Sequence, residues 1–320
     1  MSNSQNFING LLDPRQAVRE YFAQRVIFPT ELPSIMRKHI YTGAMGNIYA
    51  FLLSGIFFVN FANKLGMSGF QWGLMSGISS ILIASQLVSA LAVQRTGRRK
   101  LIWFVTAFAE RSVRLAGTLT AFVLWHSGRP HATHVLIAFV CLSNILGAMA
   151  SPPWFSWLAD IIPAHRHGRF WGIRSAWVNF SVVCVMIPAA WLLDRMPEAW
   201  QVPFTLGIFT VGGIIGLVDL LIHGTIPEPP IAQEIAPGPI LSNLTAPIRD
   251  KGFRRWLTFN VAWTFSVTLG GALSVVFFMK GLEMDRRLSR LRPNDPNVFY
   301  NLACSHSLLS QLDDAFGALE

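Results

Sequence analysis

Long apolar stretches alternate with short polar segments along most of this chain. Each stretch is roughly twenty residues long, enough for a helix to cross a bilayer at a rise of about 1.5 Å per residue. The pattern predicts about seven membrane-spanning helices, at residues 40–62, 70–93, 101–125, 134–158, 170–193, 204–223 and 256–279. The expected fold class is therefore all-α, a polytopic membrane helix bundle.

The polar segments predict how the chain is divided. Residues 1–39 carry mixed charges and three prolines, which favours a tail with only a short surface helix near 14–24. A six-span bundle is expected at 40–223. Residues 224–255 are rich in proline at their start and predict an extended linker, and the seventh span follows at 256–280.

Lysine and arginine residues are distributed unequally between the two sides of this predicted bundle. Fifteen lie in the tail, in the loops after the second and fourth spans and in the linker, and three lie in the opposite turns. Positive charge in short loops is characteristic of the cytoplasmic side. The N-terminus is therefore expected in the cytoplasm, with the protein in the inner membrane of the cell.

Composition limits the partners that can be expected. Hydrophobic residues make up 52% of the chain and charged residues 13%, whereas a soluble domain is about a quarter charged. The net charge of +9 lies in the gaps between apolar runs and not in one basic stripe, which argues against nucleic acid. The lipid bilayer is the expected partner. Because no phosphate loop, activated nucleophile or metal-ligand spacing is recognisable, we predict no enzyme activity, cofactor or metal.

Two of the polar loops carry dense positive charge. The loop after the second span, within ALAVQRTGRRKLI at 90–102, contains Gln94, Arg95, Gly97, Arg98 and Arg99. The loop after the fourth span, DIIPAHRHGR at 160–169, contains Asp160, Arg166, Gly168 and Arg169.

With six spans, a long linker and the start of a second group, the layout resembles the major facilitator superfamily of secondary transporters. That family's loop after the second span reads Gly-x-Leu-Ala-Asp-Arg-x-Gly-Arg-Arg/Lys, and the second basic loop is similar to its pseudo-symmetric counterpart. The resemblance covers about residues 40–280 and implies half of a major facilitator fold, moving a small solute by alternating access. Ala90 and Gln94 replace the expected glycine and aspartate, and Gln94 cannot pair electrostatically in the cytoplasmic gate.

The third span contains Glu110, Arg111 and Arg114. Inserting these three charged residues into the membrane costs about 9 kcal/mol, whereas the Leu, Ile, Phe and Val residues of the span contribute only about 5 kcal/mol of favourable insertion free energy. They lie within one 100° arc of the helix and must face the bundle interior. In the functional interpretation, Arg111 or Arg114 binds an anionic substrate, and Glu110 pairs with an arginine or carries a coupling proton. In the structural interpretation, the three residues form an internal salt bridge that only fixes helix packing. Asp219 is expected at the membrane surface.

Residues 281–320 contain no apolar run of spanning length. The sequence from 292 resembles a tetratricopeptide repeat, a short helix-turn-helix unit, with Phe299, Leu302, Ala303, Ala315 and Leu319 at its packed positions. One incomplete repeat cannot bury its apolar face, and a paired-bundle transporter needs both halves. We therefore expect a truncated or fused chain, joined near 280/281, that does not transport alone. The alternative is a membrane-anchored interaction module whose repeat recruits a protein partner.

Overall fold

The computed structural model describes residues 14–231 and 249–266, together with single residues at 287, 290, 291 and 302. These residues are largely helical, and within them the only extended pairing is an isolated bridge between Gln24 and Glu228. The chain divides into two compact units, Met1–Ile235 and Ala236–Glu320. The all-α fold class expected from the sequence is confirmed for the described part of the chain.

The first unit contains nine α-helices within its described residues. They are α1 Pro14–Tyr21, α2 Leu32–Ser54, α3 Ile56–Lys64, α4 Gly69–Leu82, α5 Gln86–Thr96, α6 Arg99–His126, α7 Ala132–Ile161, α8 His167–Arg195 and α9 Glu198–His223. Short 3₁₀ turns at Ile83–Ser85 and Ala164–Arg166 join α4 to α5 and lead into α8. In the second unit, residues 251–266 form a helix, α10, and the amide of Phe253 in its first turn donates to the Asp250 carboxylate at 2.6 Å.

Five described helical segments are long and apolar enough to cross a membrane. They are Leu32–Lys64, Gly69–Thr96, Ala132–Ile161, Ala164–Arg195 and Glu198–His223. Helix α6, the third predicted span, is also long enough, with 28 residues. It is more charged than the other five, because every stretch of 18 residues within it contains Glu110, Arg111 and Arg114. Many large apolar side chains on the bundle are exposed, among them Phe70, Ile81 and Ile187. An apolar outer surface of this kind suits a lipid environment.

Local sequence accounts for the ends of these helices. Helix α2 begins at Leu32, eight residues before the predicted span, because Pro33 lies in its first turn, where a missing amide hydrogen costs nothing. Helix α4 begins with a capping box between Ser68 and Gln71. Gly97 ends α5 with a left-handed φ of 67°, which glycine adopts without strain.

Helix packing places five helices around a common interior. Helix α6 packs along α7, α2 lies against α8 and α9, and α9 also contacts α6, while α4 and α5 pack on α7. The buried apolar side chains form two clusters. One centres on Phe57, Phe61, Leu136 and Phe209, and the other on Trp103, Trp157, Phe170, Leu220 and Ile226. The second cluster borders the cavity described below.

The start of the predicted linker is packed against the bundle. Ile226 and Glu228 are buried, the indole N–H of Trp157 donates to the Pro227 carbonyl at 3.0 Å, and the backbone N–H of Arg25 donates to the Glu228 carbonyl at 2.9 Å. An extended linker was expected from residue 224, but these apolar and acidic side chains have partners on the bundle. The rest of the linker up to residue 248 lies outside the described residues.

The predicted C-terminal repeat falls almost entirely outside the described residues. Of its five packed positions only Leu302 is described, and it is helical and buried. Phe299, Ala303, Ala315 and Leu319 lie outside, as does the seventh predicted span beyond residue 266. The repeat, and the domain boundary near residue 280, therefore stay predictions.

Candidate functional site

A cavity of about 250 Å³ lies among five helices of the first unit, α2, α6, α7, α8 and α9. Its polar lining consists of Thr42, Asn47, Glu110, Arg111, Ser151, Arg174, Asp219 and His223. The remaining wall is made of small residues and two indole rings: Gly43, Gly46, Ala107, Gly147, Ala150, Trp103 and Trp154. Charged groups thus meet at a place that small side chains keep open.

Arg111 forms a buried ion pair across the bundle. Its Nη2 atom lies 2.8 Å from Oδ2 of Asp219 on α9, and the two side chains are only 12% and 6% exposed. Its Nη1 atom donates to the backbone carbonyl of Gly216. The guanidinium also lies over the Tyr49 ring, 5.1 Å from its centroid. Asp219, expected at the membrane surface, is instead buried in the bundle because Arg111 neutralises it there.

Glu110 is held by hydroxyl groups. Tyr49 donates to its Oε1 atom at 2.8 Å and Ser143 donates to the same oxygen at 3.1 Å. Among the described residues Glu110 makes no ion pair, so the direct Glu110–Arg114 pair that helical spacing allows does not form. Glu110 therefore lies on the cavity wall with uncharged hydroxyls as its hydrogen-bond partners.

Arg114 is tied to the neighbouring helix α7. Its Nε atom donates to Ser143 Oγ at 3.0 Å and its Nη2 atom donates to Asn144 Oδ1 at 2.7 Å. Asn144 in turn donates to Ser79 Oγ at 2.8 Å. Arg114 is not among the described residues that line the cavity. Its contacts therefore join helices, while Ser143 links it indirectly to Glu110.

Arg174 is the cation of the cavity that sequence reasoning missed. Its guanidinium lies against the adjacent rings of Trp154 and Trp171, 5.3 and 5.4 Å from their centroids. It packs so closely on Gly43 that a Cβ there would lie 2.7 Å from Nη2. Within the described part of the chain it makes no ion pair, and its buried Nε has no hydrogen-bond partner.

A signal for Arg174 and Asp219 was present in the sequence. Both are ionisable residues inside apolar spans, and the rule that selected Glu110, Arg111 and Arg114 applies equally to them. With Arg114 counted, three arginines and two carboxylates surround this interior. One positive charge is left without a matching carboxylate, and a buried unmatched charge is costly. The arrangement therefore suits an added anion.

His223 closes one end of the cavity in a defined tautomer. The Trp154 indole can only donate, and its Nε1 lies 3.1 Å from His223 Nε2, which must therefore accept. The proton of the neutral ring then resides on Nδ1 and is donated to Thr42 Oγ1 at 2.8 Å, while Thr42 donates to the Lys38 carbonyl at 2.9 Å. His39, 1% exposed, lies edge-on to His223 at 4.5 Å, and neither of its ring nitrogens has a hydrogen-bond partner among the described groups.

The two basic loops meet at Arg99, which is 1% exposed. Its Nη1 atom lies 2.5 Å from Oδ2 of Asp160, and its Nε lies 3.7 Å from Oε1 of Glu228. The structure thus brings one residue of each predicted loop together and adds a carboxylate that sequence reasoning missed.

The other residues of the two loops lie apart from this contact. Gln94 and Gly97 are partly buried, whereas Arg95, Arg98, Arg166, Gly168 and Arg169 are exposed. No group of three or more His, Cys, Asp or Glu in the described ranges is arranged to hold a metal ion.

The apolar spans and the buried ionic contacts define an integral membrane protein built as a helix bundle. The sequence model of the Major Facilitator Superfamily matches residues 40–297, and the chain belongs to this family. It is therefore a membrane transporter of the major facilitator type. The match continues through residues 281–297, where the predicted repeat begins. Comparisons with curated proteins and with solved structures gave no match.

Proposed function

We propose that this protein is a secondary transporter that binds a small anionic solute in the cavity beside Arg174 and moves it by alternating access. The observation that carries the proposal is the partly buried Arg174 side chain on the cavity wall, whose buried Nε has no hydrogen-bond partner and which has no acidic partner within ion-pair distance among the described residues. A carboxylate or similar anion would supply the missing charge and accept its free N–H groups.

The proposed roles of the other arginines differ from those expected from the sequence. Arg111 is already paired with Asp219 at 2.8 Å, and Arg114 donates to Ser143 and Asn144. Both are therefore proposed to hold helices together. Arg174 remains for the solute because its planar guanidinium is pre-oriented by two indole rings.

Glu110 is the proposed carrier of a coupling proton. It lies on the cavity wall, and its described hydrogen-bond partners are the hydroxyls of Tyr49 and Ser143. A hydroxyl can donate to a carboxylate or accept from a carboxylic acid, so both protonation states of Glu110 can be satisfied in place. Such intramembrane carboxylates commonly take part in proton relays.

The proposed placement is the inner membrane with the N-terminus in the cytoplasm. Support comes from the excess of lysine and arginine in the tail, in the two basic loops and in the linker. The alternative of a membrane-anchored interaction module is not favoured, because the transporter family matches residues 40–297.

The test of the solute site is ligand binding to the purified full chain in detergent. The probes are acetate, benzoate and inorganic phosphate. Acetate is compared with its neutral analogue acetamide, and benzoate with benzamide. We expect at least one anion to quench tryptophan fluorescence, since Trp103 and Trp154 line the cavity, while its neutral analogue does not. Arg174→Gln should weaken that binding about 30-fold, the effect of losing one charged hydrogen bond in a buried site.

Arg195→Gln provides a matched control on the same helix. Arg195 is also stacked on an indole, 3.7 Å from the Trp191 ring centroid, but it is exposed and lies outside the cavity. Its variant should bind the anion like the wild type. Equal binding by Arg174→Gln, or no preference for any anion over its neutral analogue, would overturn the solute site. Uptake of the bound probe into proteoliposomes tests alternating access, and binding without uptake would refute transport by this chain while leaving the site intact.

A further inference from the structure

A second cavity, of about 380 Å³, lies between the N-terminal parts of α2 and α8. Met36 and Ile40 of α2 form one wall, and Arg166, Arg169, Phe170 and Ile173 form the other. None of these residues lines the charged cavity at Arg174. We refer to this cavity as the lipid groove.

The lipid groove changes from cationic to apolar along its depth. Met36 and Ile40 are four residues apart on α2, and Arg169 and Ile173 are four apart on α8, so each pair occupies one helix face a turn apart. Both helices begin beside the groove and extend from it toward the middle of their membrane spans. The aliphatic residues therefore lie about 6 Å deeper along the helices than the residues at the mouth.

The arginines at the mouth have no carboxylate to neutralise them within the described residues. The Nε atom of Arg166 donates to the ring of its neighbour His165 at 3.3 Å, and no hydrogen bond or ion pair joins the Arg169 side chain to any residue that the structure describes. This contrasts with Arg99 and Arg111, which are paired with carboxylates inside the bundle. The mouth is thus an exposed site for an anion, directly above an apolar slot.

We propose that the lipid groove binds one anionic phospholipid of the inner leaflet, with its phosphate at Arg166 and Arg169. The upper part of an acyl chain lies against Ile40, Phe170 and Ile173. The proposal rests on the cytoplasmic placement of these helix ends given under Proposed function. An anionic phospholipid has the same arrangement, with its charged phosphate at the membrane surface and its acyl chains below it. Basic pockets between helices on the cytoplasmic side bind anionic headgroups of this kind.

The test is lipid retention by the full chain, measured by native mass spectrometry from detergent with phosphatidylglycerol or phosphatidylcholine added. The wild type should retain phosphatidylglycerol in preference to phosphatidylcholine. Arg169→Gln should retain about fivefold less phosphatidylglycerol, the effect of removing one basic residue at an anionic membrane surface. Arg37→Gln is the matched control, since Arg37 is exposed on the turn that carries Met36 but does not line the groove.

A second variant tests the apolar half of the groove. Ile40→Trp fills the slot and keeps both arginines, so it should lower phosphatidylglycerol retention while leaving any binding of free glycerol 3-phosphate unchanged. Equal losses in Arg37→Gln and Arg169→Gln would show general surface attraction and overturn the proposal. The proposal would also be overturned if glycerol 3-phosphate displaced phosphatidylglycerol at an equal concentration and Ile40→Trp retained the lipid like the wild type. That result would show a site for phosphate alone. Lost lipid preference with intact anion binding at Arg174 refutes this proposal alone.

Discussion

The backbone N–H of Arg99 donates to the buried carboxylate of Glu228 at 2.8 Å, although 129 residues separate them in the chain. Arg99 is the first residue of α6, so this carboxylate lies at a helix N-terminus, where negative charge is stabilised. The loop itself has Gln94 where the family carries an aspartate. Glu228, from the segment after α9, therefore brings to this loop a negative charge that Gln94 cannot supply.

Removing the charge of Glu228 should loosen this end of the bundle. Glu228→Gln keeps the shape and an acceptor oxygen, so the expected loss is that of a charge-assisted bond to Arg99, about 2 kcal/mol in the free energy of unfolding. Residues 225–231 should then be cleaved faster by added protease. Asp194→Asn, which neutralises an exposed acid of α8, serves as the control. Wild-type stability and protection in Glu228→Gln would contradict this assignment.

The Arg111–Asp219 pair should behave as a coupled unit. Asp219→Asn leaves the buried Arg111 without its carboxylate, and we expect a loss of about 3–5 kcal/mol in unfolding free energy. Because the double variant Arg111→Gln with Asp219→Asn leaves neither charge, it should cost less than the sum of the two single variants. Thermal unfolding in detergent measures all three. Additive losses would show that the two side chains do not stabilise each other.

Gly117 permits the close contact between α6 and α7. A Cβ at this position would lie 2.8 Å from Cγ of Phe139, and the neighbouring Phe139 Cβ cannot move without its helix. Gly117→Ala should therefore lower the free energy of unfolding by about 1–3 kcal/mol through overpacking. Gly207→Ala on α9, where the added methyl meets open space, should be no less stable than the wild type. Equal melting temperatures for the two variants would argue against this helix contact.

The segment at residues 25–31, just before α2, should loosen at acid pH. Arg25 donates two hydrogen bonds of 2.9 Å to Glu31, and these bonds hold the pKa of Glu31 below its ordinary value. A lowered carboxyl pKa means that this stabilisation is present above the ordinary value of about 4.3 and is lost as the pH falls through the lower folded-state pKa. A spin label at Phe28→Cys, which is exposed within this segment, should gain mobility in that acid range in a chain whose three native cysteines are replaced.

Glu31→Gln should give the same mobility already at neutral pH, since the glutamine cannot form the ion pair. Glu198→Gln is the control, because it breaks another exposed ion pair, with Lys64 at 2.6 Å, remote from the label. A label that stays immobile in Glu31→Gln, or that responds equally to Glu198→Gln, would show that the Arg25–Glu31 contact does not hold the segment.

The length and polarity of its apolar runs determined much of this protein from sequence alone. They gave the helical class, the approximate position of the long helices at residues 32–223 and the inward orientation of Glu110 and Arg111, because hydrophobic periodicity and insertion cost are local properties of a helix. The helix ends at Pro33 and Gly97 also follow from local backbone chemistry.

Only the tertiary structure decided which charges are neutralised. Spacing along α6 allows a pair between Glu110 and Arg114, yet Glu110 accepts from Tyr49 and Ser143. Arg111 pairs with Asp219, which lies 108 residues away in the chain on α9. Arg174 stands without an acidic partner within ion-pair distance among the described residues because of how α8 packs on α2 and α7. Partners between helices depend on crossing angle and rotation about each axis, which the pattern within a single span does not specify.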